Sequence, residues 1–258
     1  MKVAIIGAGN MGGAIARGLA HGHYIDARDI TVSNPSSEKL ERLKSEYSNI
    51  CTTNCNKEAA ADADIVIVAV KPWKVEEVLK PLNLKQGQIL VSVAAGLSFE
   101  TLAHFVDPEM PIFLIIPNTA ISEMASLTLV AARNASEEQT ETMLNLFNEM
   151  GVAVLVEEKQ ISAGTALTSC GIAYVLKYVQ AAMQAAVELG FKPQEAKTMI
   201  AQTMEGAARL LLNNKDSHPA LEIEKVTTPG GITIKGINSL EEDGFTSAVI
   251  NAIKKTTV

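Results

Sequence analysis

Six residues near the start of the chain have the types and spacing of a phosphate-binding loop. Gly7-Ala8-Gly9-Asn10-Met11-Gly12 fits the pattern G-x-G-x-x-G and lies between an apolar, strand-like run and a predicted helix. Gly7 permits a tight turn, Gly9 lets the backbone approach a pyrophosphate, and Gly12 lets the helix pack closely on the strand. The helix start offers N–H groups and a partial positive charge to the phosphates. We predict a dinucleotide site here.

A second helix start, near the other end of the chain, has related chemistry. The run TTPGGITIKG, residues 227–236, places two threonines, a proline and two glycines before an apolar segment. Pro229 fixes the turn, while Gly230 and Gly231 leave room for a ligand to approach the backbone. The N–H groups and the helix dipole would favour a small anion such as a carboxylate. Taken alone, the run fits a plain helix start capped by Thr227 or Thr228 at least as well.

The end of the second predicted strand bears on which dinucleotide binds. An NAD site places an Asp or Glu there on the ribose, but this chain has Ser33-Asn34-Pro35-Ser36-Ser37. These residues include no carboxylate that would repel a 2′-phosphate, and Ser33, Asn34, Ser36 and Lys39 could hydrogen-bond one. NADPH is therefore the predicted cofactor. NADH remains an alternative, because this segment has no arginine that would bind the 2′-phosphate.

Composition excludes several other classes of function. The net charge is −7, which argues against nucleic acid as the main partner. Three cysteines without matching histidines predict neither a disulfide framework nor a metal site, and the four histidines lie in no paired arrangement. The N-terminus has too short an apolar run for a signal peptide, and no stretch approaches the roughly 20 apolar residues of a membrane span. We expect a cytoplasmic protein with no membrane partner.

The elements that must position these loops alternate between strands and helices. Predicted strands cover residues 2–6, 30–34, 64–70, 88–94, 112–117, 126–132 and 152–156, and predicted helices cover 10–21, 36–47, 73–80, 98–105 and 136–150. The strands are almost continuously apolar, which indicates a mostly parallel sheet covered on both faces. The fold class is therefore α/β, with a Rossmann-type domain at the N-terminus.

The pattern changes near Glu157. Residues 160–189 contain no proline and no strand-like alternation, and are rich in alanine, which predicts one helix of roughly 30 residues. Further helices follow from residue 193, from His218-Pro219 and from the run at 227–236. We predict a dinucleotide-binding domain at residues 1–157 and an all-helical domain at residues 158–258. A long helix that is apolar nearly all round must be buried or shared with a second subunit, which suggests a dimer.

Several motifs together resemble the pyrroline-5-carboxylate reductase family. They are AVKP at 69–72, SVAAG at 92–96, PNT at 117–119 and, above all, HPALEIEKVTTPGGITIKGINSLEEDGF at 218–245. The resemblance runs in order from Met1 to about residue 254. It implies reduction of 1-pyrroline-5-carboxylate to L-proline by NAD(P)H, the last step of proline biosynthesis. It also implies a homodimer formed by the helical half, often assembled into a ring of dimers, with each active site between the two halves.

The resemblance also implies the roles of individual residues. Thr233 would hydrogen-bond the ring nitrogen of the substrate, and Thr228, Gly230, Gly231 and Ile232 would hold its carboxylate. Asn34 and Ser36 would lie near the adenosine ribose and Asn56 near the adenine. The nicotinamide side would be bordered by Ala69, Val70, Lys71, Pro72, Ala94, Ala95, Gly96 and Asn118, while Gly7, Ala8, Gly9, Asn10, Met11 and Gly12 would hold the pyrophosphate.

One segment departs from the family pattern. Where the family usually has Ser-Gly-Ser-Gly-Pro-Ala-Tyr, this chain has Thr168-Ser169-Cys170-Gly171-Ile172-Ala173-Tyr174. The missing proline removes a preset kink and restores an N–H, and Ser169 adds a side chain where the family has none. This departure is the support for one alternative function, a reductase-like nucleotide-binding protein without turnover. A second alternative is a dehydrogenase of 3-hydroxy acids with Lys177 as its lysine, although TTPGGIT has no role in that chemistry.

Overall fold

The computed structural model of the chain describes residues 1–257. It divides into two compact units, Met1–Cys170 and Gly171–Thr256. The first unit is built on a single sheet of eight strands with helices packed on its faces. Among the described residues, no helix combines the length and apolar character needed to cross a membrane.

The sheet of the first unit is parallel except at one pair of strands. The strands are β1 Val3–Ile6, β2 Ile30–Ser33, β3 Cys51–Thr53, β4 Ile65–Val68, β5 Ile89–Ser92, β6 Ile112–Ile116, β7 Ser126–Arg133 and β8 Gly151–Leu155. Their order across the sheet is β3-β2-β1-β4-β5-β6-β7-β8, and only β6 and β7 pair antiparallel. The predicted mostly parallel, Rossmann-type sheet is confirmed.

Helices connect and cover these strands. The helices of the first unit are α1 Asn10–His21, α2 Ser37–Glu46, α3 Asn56–Ala60, α4 Val75–Leu79, α5 Phe99–Ala103, α6 Glu137–Asn148 and α7 Glu158–Thr168. The central strands are buried at every position, β1, β4 and β5 among them. Two apolar clusters lie on opposite faces of the sheet, because alternate residues such as Ile5 and Ile6 belong to different clusters.

The second unit is entirely helical. Its helices are α8 Gly171–Glu188, α9 Pro193–Leu212, α10 Pro219–Val226, α11 Ile232–Glu242 and α12 Phe245–Lys254. As predicted, His218 precedes a short helix, and its Nδ1 accepts a hydrogen bond from the N–H of Ala220 at 3.2 Å. Of the described residues in this unit, only Ala196 is fully buried. Large apolar side chains such as Leu176, Leu189 and Leu212 are exposed.

The single long helix predicted for residues 160–189 is wrong. The chain forms two helices, α7 and α8, with a break at Ser169 and Cys170. At the break the N–H groups of Ser169 and Cys170 both bond to the carbonyl of Thr165, so the ordinary ladder of the helix is interrupted. Helix α7 also packs against β7 and β6 of the first unit. The domain boundary after Glu157 stays a prediction, and the first compact unit continues beyond it to Cys170.

Candidate active site

The predicted cofactor residues collect along one edge of the sheet. β1 pairs with β2 on one side and with β4 on the other, so the order of the strands reverses at β1. In open parallel sheets, ligands bind outside the carboxyl ends of the strands at this switch point. Each group of predicted cofactor residues in this unit follows the carboxyl end of a strand. They are residues 7–12 after β1, 34–36 after β2, Asn56 after β3, 69–72 after β4, 94–96 after β5 and Asn118 after β6.

The three glycines of the first loop are needed for different structural reasons. Gly7 has φ +109°, and a Cβ there would lie 2.7 Å from the carbonyl oxygen of Ala69. A Cβ on Gly12 would lie 1.9 Å from the carbonyl oxygen of Gly7. A Cβ on Gly9 would meet no atom within 4 Å. Gly7 and Gly12 are therefore required by the fold, whereas the absent side chain of Gly9 leaves open space above the backbone.

The start of α1 is suited to an anion. Gly9 is the N-cap residue, its position has no side chain that could cap the helix, and the first turn contains no acidic residue. The first N–H groups of a helix have no partner within the helix, and the dipole makes this end positive. Open space above Gly9 and an uncapped helix start together fit the pyrophosphate of a dinucleotide.

Asn34 holds the glycine loop in place. Its side chain is buried, its Oδ1 accepts a hydrogen bond from the N–H of Ala8 at 3.1 Å, and its Nδ2 donates to the carbonyl of Ser36 at 3.1 Å. Ser36 is exposed and occupies the N-cap position of α2, but its hydroxyl makes no capping bond. Lys39 is also exposed. The predicted contacts of Asn34 and Ser36 with the ribose remain predictions.

A neighbouring asparagine was missed by the sequence analysis. Asn54 donates through Nδ2 to the carbonyl of Asn34 at 2.8 Å, which ties the end of β3 to the loop after β2. Asn56, the predicted adenine contact, accepts a hydrogen bond at Oδ1 from the hydroxyl of Ser33 at 2.8 Å. A polar residue directly after each strand is the signal that could have identified Asn54, but β3 itself was not predicted.

Helices α1 and α2 are joined by an ion pair. The guanidinium of Arg17 on α1 contacts the carboxylate of Glu46 at the end of α2, and Arg42 approaches the same carboxylate at 3.3 Å. The hydrogen bond from Arg17 holds the pKa of Glu46 below its ordinary value. This pair joins the two helices that begin at the loops after β1 and β2.

The loops after β4 and β5 present mainly backbone. The N–H of Ala69 donates to the carbonyl of Ile6 at 2.9 Å, which continues the pairing of β4 with β1 beyond the strand. Lys71 is exposed, and Pro72 begins a short 3-10 turn. After β5, Ala94 is buried, whereas Ala95 and Gly96 are exposed, with Gly96 at φ +80°. Exposed backbone beside the switch point is what a flat nicotinamide ring could pack against.

Asn118 is almost fully buried and hydrogen-bonded within the protein. Its Oδ1 accepts from the N–H of Ala120 at 2.9 Å, and its Nδ2 donates to the carbonyl of Thr168 at 3.3 Å. Its own N–H donates to the hydroxyl of Ser126 at 3.1 Å. These contacts give Asn118 a clear structural role. Its predicted place beside the nicotinamide remains a prediction.

In the second unit, the segment before α11 forms a tight turn. The N–H of Gly231 donates to the carbonyl of Thr228 at 2.9 Å, and Gly230 has φ +74°. With Pro229 at the second position, this is the arrangement of a type II turn, which requires a glycine at Gly230. Neither Thr227 nor Thr228 caps the helix, because Gly231 is the N-cap residue.

The start of α11 is exposed and uncapped. No side chain caps it, and its first turn contains no acidic residue. Ile232 is 85% exposed, and Thr233 lies beside it in the first turn, also exposed. This exposed helix start has N–H groups without side-chain caps and a dipole that favours an anion, and the predicted contacts of Thr233 with a substrate remain predictions.

Comparison with known proteins identifies the family. The chain is 35% identical to pyrroline-5-carboxylate reductase 2 of Dictyostelium discoideum, over 98% of this chain and 89% of that protein. The chain belongs to the pyrroline-5-carboxylate reductase family. It is also 36% identical to reductase 1 of the same organism, over 97% of this chain, and spans about half (48%) of the length of that relative.

Domain and structural matches agree with this family. Residues 158–258 match the family described as pyrroline-5-carboxylate reductase dimerisation, and residues 2–96 match NADP oxidoreductase, coenzyme F420-dependent. The crystal structure of Plasmodium falciparum pyrroline carboxylate reductase with NADP bound has a TM-score of 0.89 and 27% identity, covering 100% of this chain and 95% of that one. The resemblance inferred from the motifs and the predicted fold class are both confirmed.

Two further residues were singled out in the sequence because they bear on the alternative functions. Ser169, at the position where the family pattern has glycine, donates through its hydroxyl to the carbonyl of Pro117 at 2.8 Å. Lys177, the candidate lysine for a hydroxyacid dehydrogenase, is exposed on α8 and donates to Oε1 of Gln180 at 2.9 Å. Lys177 thus has an ordinary surface contact within its own helix.

Proposed function

We propose that the chain reduces 1-pyrroline-5-carboxylate to L-proline, with NADPH as the preferred reductant and NADH as an alternative. The observation that carries this proposal is the start of α11, where a type II turn over Pro229 and Gly230 leads into an uncapped, exposed helix N-terminus followed by Thr233. The substrate carries one carboxylate and one ring nitrogen, which are the two groups that this segment could hold. Membership of the family supports the assignment.

The carboxylate of the substrate would bind at the turn. In a chain of net charge −7, an anion needs local attraction. The N–H groups from Ile232 onward in the first turn of α11 and the dipole of this helix would supply that attraction, because the N–H of Gly231 is already bonded to the carbonyl of Thr228. Gly230, Gly231 and the hydroxyl of Thr228 would complete the contacts with the carboxylate. The hydroxyl of Thr233 would hydrogen-bond the ring nitrogen and orient the ring, because a threonine hydroxyl is too weak an acid to be the main proton source.

The cofactor would bind along the carboxyl edge of the first unit. The pyrophosphate would lie over Gly9, and the nicotinamide beside the loops after β4 and β5. When bound, the reduced nicotinamide supplies the hydride that reduces the imine carbon. The chain's own part is position: backbone at residues 69–72 and 94–96 borders the ring, and hydride transfer requires reacting atoms about 3–3.5 Å apart. Serines and Lys39 after β2, in place of a carboxylate, favour NADPH.

We further propose that residues 158–258 form a dimerisation domain and that the protein is a homodimer. We also propose that these dimers assemble into a ring. The support is the exposed apolar surface of the helical unit, including Leu176, Leu189, Leu212 and Val226, and its single fully buried residue among those described. Helices with this much exposed apolar surface are stabilised by covering it. The proposed location is the cytoplasm.

A spectrophotometric assay tests the activity. Purified protein, NADPH and pyrroline-5-carboxylate are mixed, and the loss of NADPH absorbance is followed. Thr233→Ala should lose turnover by at least about tenfold while binding NADPH normally, because its hydroxyl is proposed to contact the substrate and not the cofactor. Thr140→Ala is the matched control, since Thr140 lies in the first turn of α6 and its hydroxyl donates to the carbonyl of Ser136 at 2.9 Å.

The same assay distinguishes the alternatives. NADPH binding without turnover by the unmodified protein would favour a nucleotide-binding protein that has lost its activity. Oxidation of a 3-hydroxy acid that survives Thr233→Ala but not Lys177→Ala would favour the hydroxyacid dehydrogenase.

Light scattering after size exclusion tests the dimer. Leu176→Glu should shift the protein toward monomer if α8 is part of the subunit interface, whereas Glu188→Gln at the end of the same helix should not. A monomeric unmodified protein would contradict the dimer.

A further inference from the structure

Two hydrogen bonds join the end of α7 to the loop after β6, and neither was predicted from the sequence. The Nδ2 of Asn118 donates to the carbonyl of Thr168 at 3.3 Å, and the hydroxyl of Ser169 donates to the carbonyl of Pro117 at 2.8 Å. We call these two bonds the latch. They join residues that are 50 and 52 positions apart in sequence, so they hold two distant segments of the chain together.

The loop on the β6 side of the latch is itself held firmly. The Oδ1 of Asn118 accepts from the N–H of Ala120, and the N–H of Asn118 donates to the hydroxyl of Ser126, which also bonds to the hydroxyl of Thr128 at 3.1 Å. Ser126 and Thr128 are buried on β7. Both polar groups of the Asn118 side chain are therefore used within the protein, and the latch is anchored on the sheet.

The α7 side of the latch is the break between two helices. The N–H groups of Ser169 and Cys170 both reach the carbonyl of Thr165, and α8 begins at the next residue, Gly171. A carbonyl at the end of a helix has no partner within the helix, and Asn118 supplies one for Thr168. The latch therefore fixes the point at which the chain leaves the first unit.

We propose that Ser169 is a positioning residue for the reductase, because the bond from its hydroxyl to the carbonyl of Pro117 restrains the break between α7 and α8. This inference rests on the proposed function. The pattern has glycine at position 169 and proline at position 172, whereas this chain has serine and isoleucine. A proline would fix the backbone φ in the first turn of α8. Ile172 does not fix φ in this way. The hydrogen bond from Ser169 to Pro117 instead restrains the end of α7, just before α8 begins.

The consequence for catalysis is geometric. Pro117 and Asn118 follow the carboxyl end of β6, on the edge where the cofactor is proposed to bind. A misplacement of about 1 Å at reacting atoms can lower a rate about a hundredfold. The latch holds the loop after β6 at a fixed position relative to the end of α7. Its loss should therefore lower kcat more than it weakens dinucleotide binding, because the proposed pyrophosphate site lies at Gly9.

The first test compares Ser169→Ala with Ser45→Ala. The Ser45 hydroxyl also bonds to a backbone carbonyl, that of Arg42 at 2.7 Å, but on the exposed face of α2. We expect Ser169→Ala to lower kcat about three- to tenfold, with the Kd for NADPH changed less than twofold. Amide hydrogen exchange at residues 168–171 should accelerate by a similar factor. Ser45→Ala should change none of the three quantities.

The second test is a rescue. Ser169→Gly should lower kcat at least as much as Ser169→Ala, and adding Ile172→Pro should restore kcat and slow the exchange of residues 168–171 again. A kcat and an exchange rate in Ser169→Ala equal to those of Ser45→Ala would overturn the proposal, as would a double variant no better than Ser169→Gly. If the unmodified protein has no turnover, the proposed function fails, but hydrogen exchange still decides whether the latch restrains the break.

Discussion

Gly9 and Gly12 lie three positions apart in the same loop, yet the same substitution should affect them through different steps. Gly9→Ala adds a methyl group where no atom lies within 4 Å, whereas Gly12→Ala places one 1.9 Å from the carbonyl oxygen of Gly7 and 2.9 Å from Cβ of Ala69. The first change should impair cofactor binding and leave the fold intact. The second should destabilise the fold itself.

For Gly9→Ala, the free energy of unfolding should change little. Gly9 has φ −72° and ψ −169°, which alanine adopts readily. Alanine is a poorer N-cap than glycine by up to about 1 kcal/mol, but it lowers the entropy of the unfolded chain by a comparable 0.4–1 kcal/mol, so the two effects roughly cancel. The methyl group would occupy the proposed path of the pyrophosphate. We expect the Kd for NADPH to rise at least tenfold, about 1.4 kcal/mol.

For Gly12→Ala, the gain in helix propensity is about 1 kcal/mol, and the overlap with backbone costs more. Overpacking typically costs about 1–3 kcal/mol, and here the neighbour is a backbone carbonyl that cannot rotate away. At roughly 2–4 °C per kcal/mol for a chain of this size, the melting temperature without cofactor should fall by several degrees.

Thermal unfolding and fluorescence measure the two effects separately. The chain has a single tryptophan, and Trp73 is 76% exposed, next to Pro72 in the loop proposed to border the nicotinamide. Quenching of Trp73 by NADPH therefore gives the Kd directly. The reasoning is refuted if Gly9→Ala binds NADPH within twofold of the unmodified protein, or if the two variants lose equal thermal stability.

Three further predictions concern the loops and the surface. Asn34→Ala leaves the N–H of Ala8 without its acceptor, so stability should fall by about 1–3 kcal/mol and the Kd for NADPH should rise; unchanged unfolding and binding would contradict this role. Gly230→Ala forces a left-handed conformation at a cost of about 1–2 kcal/mol, so KM for the substrate should rise while NADPH binding stays the same, as steady-state kinetics would show. The hydrogen bond from Arg28 lowers the pKa of Asp26 to about 2, so the stabilisation that this pair gives is present above the ordinary value of 3.8 and is lost as pH falls through about 2. An NMR titration of the Asp26 carboxyl should show a midpoint near 2, and Arg28→Ala should return it toward 3.8.

Apolar patterning predicted most of the first unit, and its failures have a common cause. The helix predicted at residues 10–21 has those bounds in the structure, and the predicted strands each overlap a real one. β3 was missed because its three residues, Cys51–Thr53, are partly exposed at the edge of the sheet and show no apolar run. The break between α7 and α8 was missed because residues 160–189 contain no proline and no strand-like alternation, and the contacts of Thr168 and Ser169 with Asn118 and Pro117 come from a segment distant in sequence.

In the candidate site too, features set by neighbouring residues were predicted, and features set by distant residues were not. The glycine loop and the turn before α11 were predictable because glycine and proline at fixed spacing have backbone requirements that a few neighbours determine. The roles of Asn34, Asn54 and Ser169 were not, because each depends on a hydrogen bond to a segment 20 or more residues away. Local patterns therefore predicted where ligands could approach the backbone, and the structure added the side chains that hold those segments in place.

The proposed anion sites of this chain depend on how its helices begin. Helix α6 starts with a serine cap and two glutamates in its first turn, so its N–H groups and its dipole are already matched by the protein. Helices α1, α11 and α12 each start at a glycine, with no capping side chain and no acid in the first turn, and α1 and α11 follow the two predicted ligand-binding motifs. An uncapped start leaves N–H groups without protein partners, which a bound phosphate or carboxylate would satisfy. The two substrates of the proposed reaction each carry such an anion, which these two helix starts would attract in a chain of net charge −7.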